Sequence, residues 1–451
     1  PAPETCMPAA APPVIEPQET VRFGSYEAIF LAGDGARDLV IALTGVGDVS
    51  KPFDSYDFTR TLRLRPQLDK ILMRDHARSW YRAPEGRAGI IAWCRQRAAL
   101  GRYRSVTLIG ISMGAYAALT LGAAMPEARV VALSPPFSLD TQAFGRGVVR
   151  YKAWLDQQPP LAGTDAVLTG DPSRYLLLFG DDEMIDLYNL RLFQQRGWPN
   201  LFLCPGAEHN LGSFLARHQR MGRVMDLAGA GAPMAELAAA AGAQAVFPHC
   251  HGLQMLAARE ALWRGDAAAA DAALVEARAA VGTASPALDR LDWLRAGLMA
   301  DAGRALRRVR ALPPAGSVSL PLEDGASLQM QAPEARVIKG VPVLGPLVLA
   351  RLTHPGAARV TLALRADSPV RRNAGARLAL EAFAIEGDAC RPLASSAPPS
   401  SSIAIPLALR DGAADFLLRR RCFGSGFDAE RGEVQVAWAM KLRDLRLVPT
   451  A

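Results

Sequence analysis

The sequence predicts an α/β chain: a doubly wound, mostly parallel sheet, then a short helical region, then a C-terminal antiparallel β-sandwich. Three observations carry this. Between residues 21 and 221, short apolar runs rich in β-branched residues alternate with helical stretches, the pattern of successive βαβ units. From 222 to 312 the composition turns to Ala, Leu and Arg with no strand signal. From 317 to 451 apolar residues recur with period two between Gly-, Pro- and Ser-rich turns, as the strands of a sandwich do. A chain of 451 residues exceeds one ordinary core. The expected division is a flexible Pro- and Ala-rich arm (1–20), the α/β domain (21–221), the helical region (222–312) and the sandwich (317–451).

In chain order, Val21–Phe23, Glu27–Leu31 and Asp38–Leu43 read as strands, and Thr44-Gly45-Val46-Gly47-Asp48 as the loop after the third. Lys70–Asp75 is a buried strand, and Gly86–Leu100 an amphipathic helix. Val106–Ile109 is a strand stopped by Gly110, and Met113–Met125 a helix rich in Ala and Leu. Arg129–Ser134 is a strand broken by Pro135 and Pro136. Residues 137–172 read as a short insertion, a small cap over the strand ends. Arg174–Gly180 and Asn200–Cys204 are the last strands of the domain, with a helix from Asp186 to Arg196 between them and Asp186 as its N-cap. Further on, Gly252–Trp263, Asp266–Val281 and Pro286–Leu312 have helical periodicity, and residues 262–274 resemble one tetratricopeptide-type hairpin, where stacked repeats need about three units. Pro313–Gly316 is a linker. Ser317–Leu322, Val360–Arg365, Ala376–Glu381, Ile403–Leu409 and Val434–Trp438 alternate as sandwich strands.

Composition bounds the function classes. The net charge is +7, carried by scattered Arg, and basic residues are not interleaved with aromatics in any one stretch, which argues against a nucleic-acid partner. Arg304, Arg307, Arg308 and Arg310, and the run Arg419–Arg421, read as solvated faces. Six cysteines, Cys6, Cys94, Cys204, Cys250, Cys390 and Cys422, lie far apart, so a reducing compartment, the cytoplasm, is expected. No apolar run is long enough to span a bilayer, and the first residues lack the basic and apolar regions of a signal peptide.

Gly110-Ile111-Ser112-Met113-Gly114 lies between a strand and a helix. In that context G-x-S-x-G is a nucleophile elbow, a sharp turn that presents the serine at the carboxyl edge of the sheet. Small residues flank it because strand and helix come very close. The Met113 N–H, at the helix N-terminus, can donate to an oxyanion. The loop after the third strand is the place for a second donor, with the Val46 or Gly47 N–H as candidates. A serine hydroxyl needs a base. Of six histidines, only His209 follows a strand downstream of the elbow. His218 reads as structural. His249 and His251 flank Cys250 at alternate positions, which share no helix face, and further metal ligands are lacking. The orienting acid belongs in the loop Gly180-Asp181-Asp182-Glu183-Met184-Ile185-Asp186. Spacing from the strand-end glycine favours Glu183 narrowly over Asp186, with Asp181 and Asp182 behind.

Arg74-Asp75…Trp80-Tyr81, the elbow with its following Ala-Tyr-Ala-Ala, Leu133-Ser134-Pro135 and Gly206-Ala-Glu-His209-Asn210 together resemble the α/β-hydrolase superfamily over residues 23–220, and more narrowly bacterial serine-hydrolase-like proteins with a short cap. The resemblance implies a Ser–His–acid triad, acyl-ester chemistry, and no metal or organic cofactor. Its departure is the acid loop, Gly-Asp-Asp-Glu. The reading is a serine esterase or acyl hydrolase acting through an acyl-enzyme on a small-molecule or glycan ester, with Ser112, His209, Glu183 or Asp186, and the Met113 and Val46 N–H groups. The same triad would serve an acyltransferase to a sugar or other alcohol. In a third reading the first domain is idle and the chain is a scaffold whose sandwich holds a protein or glycan partner. The few aromatics there (Phe383, Phe416, Phe423, Phe427, Trp438) argue mildly against a glycan.

Overall fold

The computed structural model describes residues 17–47, 53, 55–101, 103–140, 155, 171–181, 183–264, 266–281, 285, 287–289, 291–292, 295, 306, 316–332, 336–338, 341–344, 347–367, 377–387, 389–396, 402–423 and 440–448. Residues 1–16 of the expected arm, nearly all of the expected cap, most of the helix expected at 286–312 and the strand expected at 434–438 lie outside them. The chain forms two compact units, Pro1–Pro248 and His249–Ala451.

The first unit is a mixed α/β layer structure. Its sheet takes β1 (Glu19–Phe23), β2 (Tyr26–Leu31), β3 (Asp38–Leu43), β4 (Asp69–Asp75), β5 (Ser105–Ile111), β6 (Arg129–Leu133), β7 (Tyr175–Gly180), β8 (Leu201–Cys204) and β9 (Gln244–Ala245) in the order β1-β2-β4-β3-β5-β6-β7-β8-β9. Strands β3 to β8 run parallel, while β1, β2 and β9 join by antiparallel pairs. Every residue of β3 and of β7 is buried, as expected of strands covered by helices on both faces. The helices whose bounds lie among the described residues are α1 (Thr59–Arg63), α2 (Pro84–Gly101), α3 (Met113–Ala124), α4 (Met184–Gln195), α5 (Leu211–Arg217), α6 (Met221–Gly229) and α7 (Met234–Ala241). The chain passes from β4 across β3 to β5, so the strand order reverses beside β5, where open α/β sheets bind their ligands.

The structure moves one expected boundary. Residues 222–245, assigned by composition to the helical region, belong to the first unit. Val224, Met225 and Ala228 of α6 and Leu237, Ala238 and Ala241 of α7 share one hydrophobic cluster with Leu72, Ile109, Val131 and Leu176 of the sheet. Thr107 Oγ1 donates to the Ala228 carbonyl at 2.8 Å, and β9 extends the sheet beyond β8. Ala-rich helices that cover a sheet look, in composition, like the helices that follow them.

In the second unit, α8 (His251–Arg264) packs on α9 (Ala267–Val281), burying Met255, Leu256, Leu262, Ala270 and Leu274. Residues 316–448 form two antiparallel sheets, of six and five strands among the described residues. Leu328, Leu352, Phe416 and Leu418 of one share a core with Leu362, Leu364, Ile405 and Leu442 of the other. On the opposite face of the larger sheet, Arg419, cross-strand from Glu381, donates to it through Nε at 2.8 Å and lies over the Phe383 ring. Thus one residue of the run read as a solvated face is a buried ion-pair partner. Cys94, Cys204 and Cys250 are buried free thiols. Among the described residues no helix is long and apolar enough to cross a membrane, and no group of three His, Cys, Asp or Glu side chains could hold a metal ion.

Candidate active site

The site begins with a backbone conformation. Ser112, between β5 and α3, has φ 53° and ψ −114°, a region that L-residues enter only when the surroundings force it. Two bonds hold the turn: the Ser112 N–H donates to the Leu133 carbonyl at 2.9 Å, and the Ser112 carbonyl accepts from Tyr116 N–H at 3.0 Å. The flanking glycines are steric necessities. A Cβ on Gly110 would lie 2.1 Å from the Gly114 carbonyl oxygen, and one on Gly114 would lie 2.1 Å from the Leu43 carbonyl oxygen. The glycine pattern thus reports how closely α3 is drawn onto β5 and β3. Met113 is the first residue of α3, where backbone N–H groups lack intrahelical acceptors.

His209 lies in the loop between β8 and α5, just before Asn210, whose side chain caps α5 by accepting from Ser213 N–H at 3.0 Å. His209 Nδ1 lies 2.8 Å from Asp186 Oδ1. With the proton on Nδ1 it donates to the carboxylate and leaves Nε2 as an acceptor. Asp186 is buried. Ser112 Oγ and His209 Nε2 are both buried atoms without a hydrogen-bond partner among the described residues, and an unsatisfied buried polar atom calls for an explanation.

The acid at His209 differs from the one that spacing favoured. The N-cap of α4 is Glu183, whose side chain makes no capping bond, and Asp186 stands inside the first turn rather than at the cap. Helical Cα–Cβ bonds tilt toward the N-terminus, so a third-position side chain is carried back to the sheet edge. Asp181 plays a different part. Its Oδ1 accepts from Gly206 N–H at 2.7 Å, tying the β7 end to the loop that carries His209. A Cβ on Gly180 would stand 2.2 Å from the Ala207 carbonyl oxygen, so these two loops touch. Asp182 lies outside the described residues.

Two loops approach the turn at Ser112. A Cβ on Gly45 would lie 3.0 Å from the Ile111 carbonyl oxygen, and one on Gly212, at the start of α5, 3.6 Å from Ile111 Cδ1. The β3 loop, with Val46 buried, and the β8 loop therefore flank Ser112. The β3 loop is held by a residue that sequence reasoning missed. Asp57 Oδ2 accepts from Gly45 N–H at 2.8 Å, and Asp57 N–H donates to Thr44 Oγ1 at 3.2 Å. Burial raises the Asp57 carboxyl above its ordinary range, against the lowering effect of that Gly45 bond. Nothing in local periodicity marks such an acid, because its partner is a backbone group twelve residues away. His249, Cys250 and His251 belong to the second unit and form no metal-holding group among the described residues.

A mixed α/β unit with a mostly parallel sheet carries a strained serine, a half-buried histidine paired with a buried carboxylate and a helix N-terminus at one sheet edge. Such an arrangement can take a proton from a serine hydroxyl and receive negative charge beside it. No protein-family model matches the chain, and no curated protein matches it. Solved structures do resemble it at a distance. A glycosylation-associated protein (Gap123) complex from Streptococcus agalactiae is 16% identical with a TM-score of 0.33, covering 45% of this chain and 45% of its own, so the chain spans under half the length of that relative. The capsule O-acetyltransferase of Neisseria meningitidis serogroup A is 15% identical with a TM-score of 0.35, over 46% of this chain and 94% of its own. The fluorophosphonate-binding serine hydrolase F of Staphylococcus aureus is 12% identical with a TM-score of 0.35, over 47% and 96%.

Proposed function

We propose that the protein is a serine hydrolase acting on ester bonds through an acyl-enzyme. The observation that carries this is the pairing of His209 Nδ1 with Asp186 at 2.8 Å, which leaves Nε2 unpartnered among the described residues at the sheet edge that also presents the unpartnered Ser112 Oγ. In the reaction, Ser112 Oγ attacks the acyl carbon and its proton passes to His209 Nε2. The carbonyl oxygen becomes an oxyanion, held by the Met113 N–H and by an N–H of the β3 loop, Val46 or Gly47. The intermediate collapses, and His209 returns the proton to the departing alcohol. Water then attacks the acyl carbon with His209 as base again, the acyl–Oγ bond breaks to release the acid, and His209 returns the proton to Ser112 Oγ. Asp186 holds the imidazole in the required tautomer and stabilises its charged form; Glu183 takes no part. Loss of one oxyanion donor in such a site costs about 100- to 1,000-fold in rate.

Acyl transfer to a sugar or other alcohol would use the same residues, with the alcohol in place of water in the second half. Fluorophosphonate labelling of the purified protein tests the reading. Wild type should label at Ser112, and Ser112→Ala and His209→Ala should not. A panel of acyl esters, assayed with and without an added sugar or alcohol, then separates hydrolysis from transfer by its products. A folded wild-type protein that takes no label would overturn the reading.

A further inference from the structure

We propose that the loop from Asp75 to Arg82 is a positioning device for the oxyanion loop Thr44–Gly47, with Arg78 and Tyr81 as its positioning residues; this rests on the serine-hydrolase reading above. The loop follows β4 and is organised by one side chain. Asp75, fully buried at the strand end, accepts from Ser25 Oγ at 2.8 Å and Ala77 N–H at 3.2 Å on Oδ1. On Oδ2 it accepts from Ser79 N–H at 2.6 Å, Ser79 Oγ at 2.7 Å and Tyr81 N–H at 3.1 Å. Around this carboxylate the backbone enters the left-handed region three times in four residues, at Arg78 (φ 48°), Trp80 (φ 61°) and Tyr81 (φ 56°). Non-glycine residues hold that conformation only when their surroundings over-determine it.

What the conformation achieves is contact. Each of the three left-handed residues touches a different part of the site. The Tyr81 hydroxyl accepts from Thr44 N–H at 3.1 Å, and its own proton has the Thr44 carbonyl at 3.2 Å and the Met73 carbonyl at 3.1 Å. Arg78 Nε donates to the Val46 carbonyl at 3.0 Å. The Trp80 ring stands edge-on to Tyr116 of α3, with centroids 6.3 Å apart, and Tyr116 N–H closes the first turn behind Ser112. Together with Asp57 on Gly45, these bonds hold the Thr44 N–H, the Thr44 carbonyl, the Gly45 N–H and the Val46 carbonyl. The clamp uses neither the Val46 N–H nor the Gly47 N–H, the two candidate donors. A peptide unit is planar and trans, so fixing the Val46 carbonyl also fixes the direction of the Gly47 N–H in the same unit. Fixing Thr44 and Gly45 aims the preceding unit. Arg78 therefore acts on the oxyanion donors through the backbone, without contact to substrate. The loop also braces α3, which carries the other donor at Met113.

The test uses the full chain and three variants: Arg78→Ala, Arg78→Lys, which keeps a donor for the Val46 carbonyl, and Tyr81→Phe. The readouts are kcat and KM on a p-nitrophenyl ester, the second-order rate constant of fluorophosphonate labelling, and thermal unfolding. Misplacing an oxyanion donor is expected to lower kcat and the labelling rate about 10- to 100-fold with KM within about twofold of wild type. Arg78→Lys should recover most of what Arg78→Ala loses, and Tyr81→Phe should shift kcat in the same sense. Should Tyr81→Phe fail to fold, the half-buried Arg78 pair still decides the matter. Wild-type kcat in Arg78→Ala, or a change confined to KM, would overturn the proposal while leaving the hydrolase reading in place. A folded wild type with neither label nor esterase activity would overturn both.

Discussion

At the scale of single residues, two carboxylates three positions apart in the same turn have opposite fates. Asp186 is buried against His209, whereas Glu183 caps α4 without a capping bond. If Asp186 orients the base, Asp186→Asn presents an amide where a carboxylate stood and stabilises the wrong tautomer. The analogous change in a serine protease costs about 10⁴ in kcat, so a loss of about 10³- to 10⁴-fold in kcat is expected here. Glu183→Gln should stay within a few-fold of wild type. Steady-state kinetics on one ester check both, and a loss centred on Glu183 would reassign the acid. The glycines offer a second test. Gly114→Ala places a methyl group 2.1 Å from the Leu43 carbonyl oxygen, a clash with backbone that no rotamer change relieves. A destabilisation of about 1–3 kcal/mol or more is expected, read as a lowered melting temperature. Gly206→Ala is the contrasting control. A Cβ there meets nothing within 4 Å, so its cost is the backbone cost of its φ of +75°, about 1–2 kcal/mol.

At the scale of elements, the antiparallel edge of the first sheet is tied by a charged row across three strands. Arg22 of β1 pairs in register with Glu27 of β2, which pairs in register with Arg74 of β4. Glu27 accepts from Arg22 Nε at 2.7 Å, Arg74 Nε at 2.8 Å and the Tyr56 hydroxyl at 2.5 Å. Burial alone would raise the Glu27 carboxyl, but these bonds outweigh it and lower it from 4.5 to about 2. A carboxyl depressed in the folded state contributes stability that is complete above its unfolded value and lost as the pH falls toward its folded one. Denaturant unfolding should therefore show wild type losing stability between about pH 4.5 and 2 more steeply than Glu27→Gln. Parallel slopes would show that the row contributes no linkage. Much of this scale is legible in the sequence. Apolar runs mark the strands from Asp38 to Cys204, and the glycine spacing around Ser112 marks the elbow, because tight packing leaves its trace in residue size. The acid is not legible, since the choice between Glu183 and Asp186 turns on where α4 begins. The Asp75 loop is visible only as a motif without a role, because its bonds run from side chains to distant backbone groups, which no periodicity encodes. The pairing of α6 and α7 with the first sheet is hidden for a similar reason: an Ala-rich face fits a sheet as readily as another helix.

At the scale of the whole molecule, the two units differ in what they contain. Every residue placed at the candidate site, from Thr44 through Asp57, Asp75, Arg78, Tyr81, Ser112, Asp186 and His209 to Gly212, lies in Pro1–Pro248. That unit has its own hydrophobic cluster, running from Leu31 to Ala241, and the second has another from Val318 to Leu442. A segment ending at Pro248 is near the size at which a single core stops growing, about 250–300 residues, so it can bury enough apolar surface to fold alone. Cutting at the compositional boundary, after residue 221, would strip α6, α7 and β9 and expose Leu72, Ile109, Val131 and Leu176 where α6 and α7 had covered them. The expectation is thus a pair of outcomes. A fragment of residues 1–248 should unfold in one cooperative thermal transition and label with fluorophosphonate at Ser112 at a rate within a few-fold of the full chain. A fragment of residues 1–221 should be insoluble or unfolded by circular dichroism. If the longer fragment fails to fold, or folds without labelling while the full chain labels, the core and the candidate site in Pro1–Pro248 are not self-sufficient.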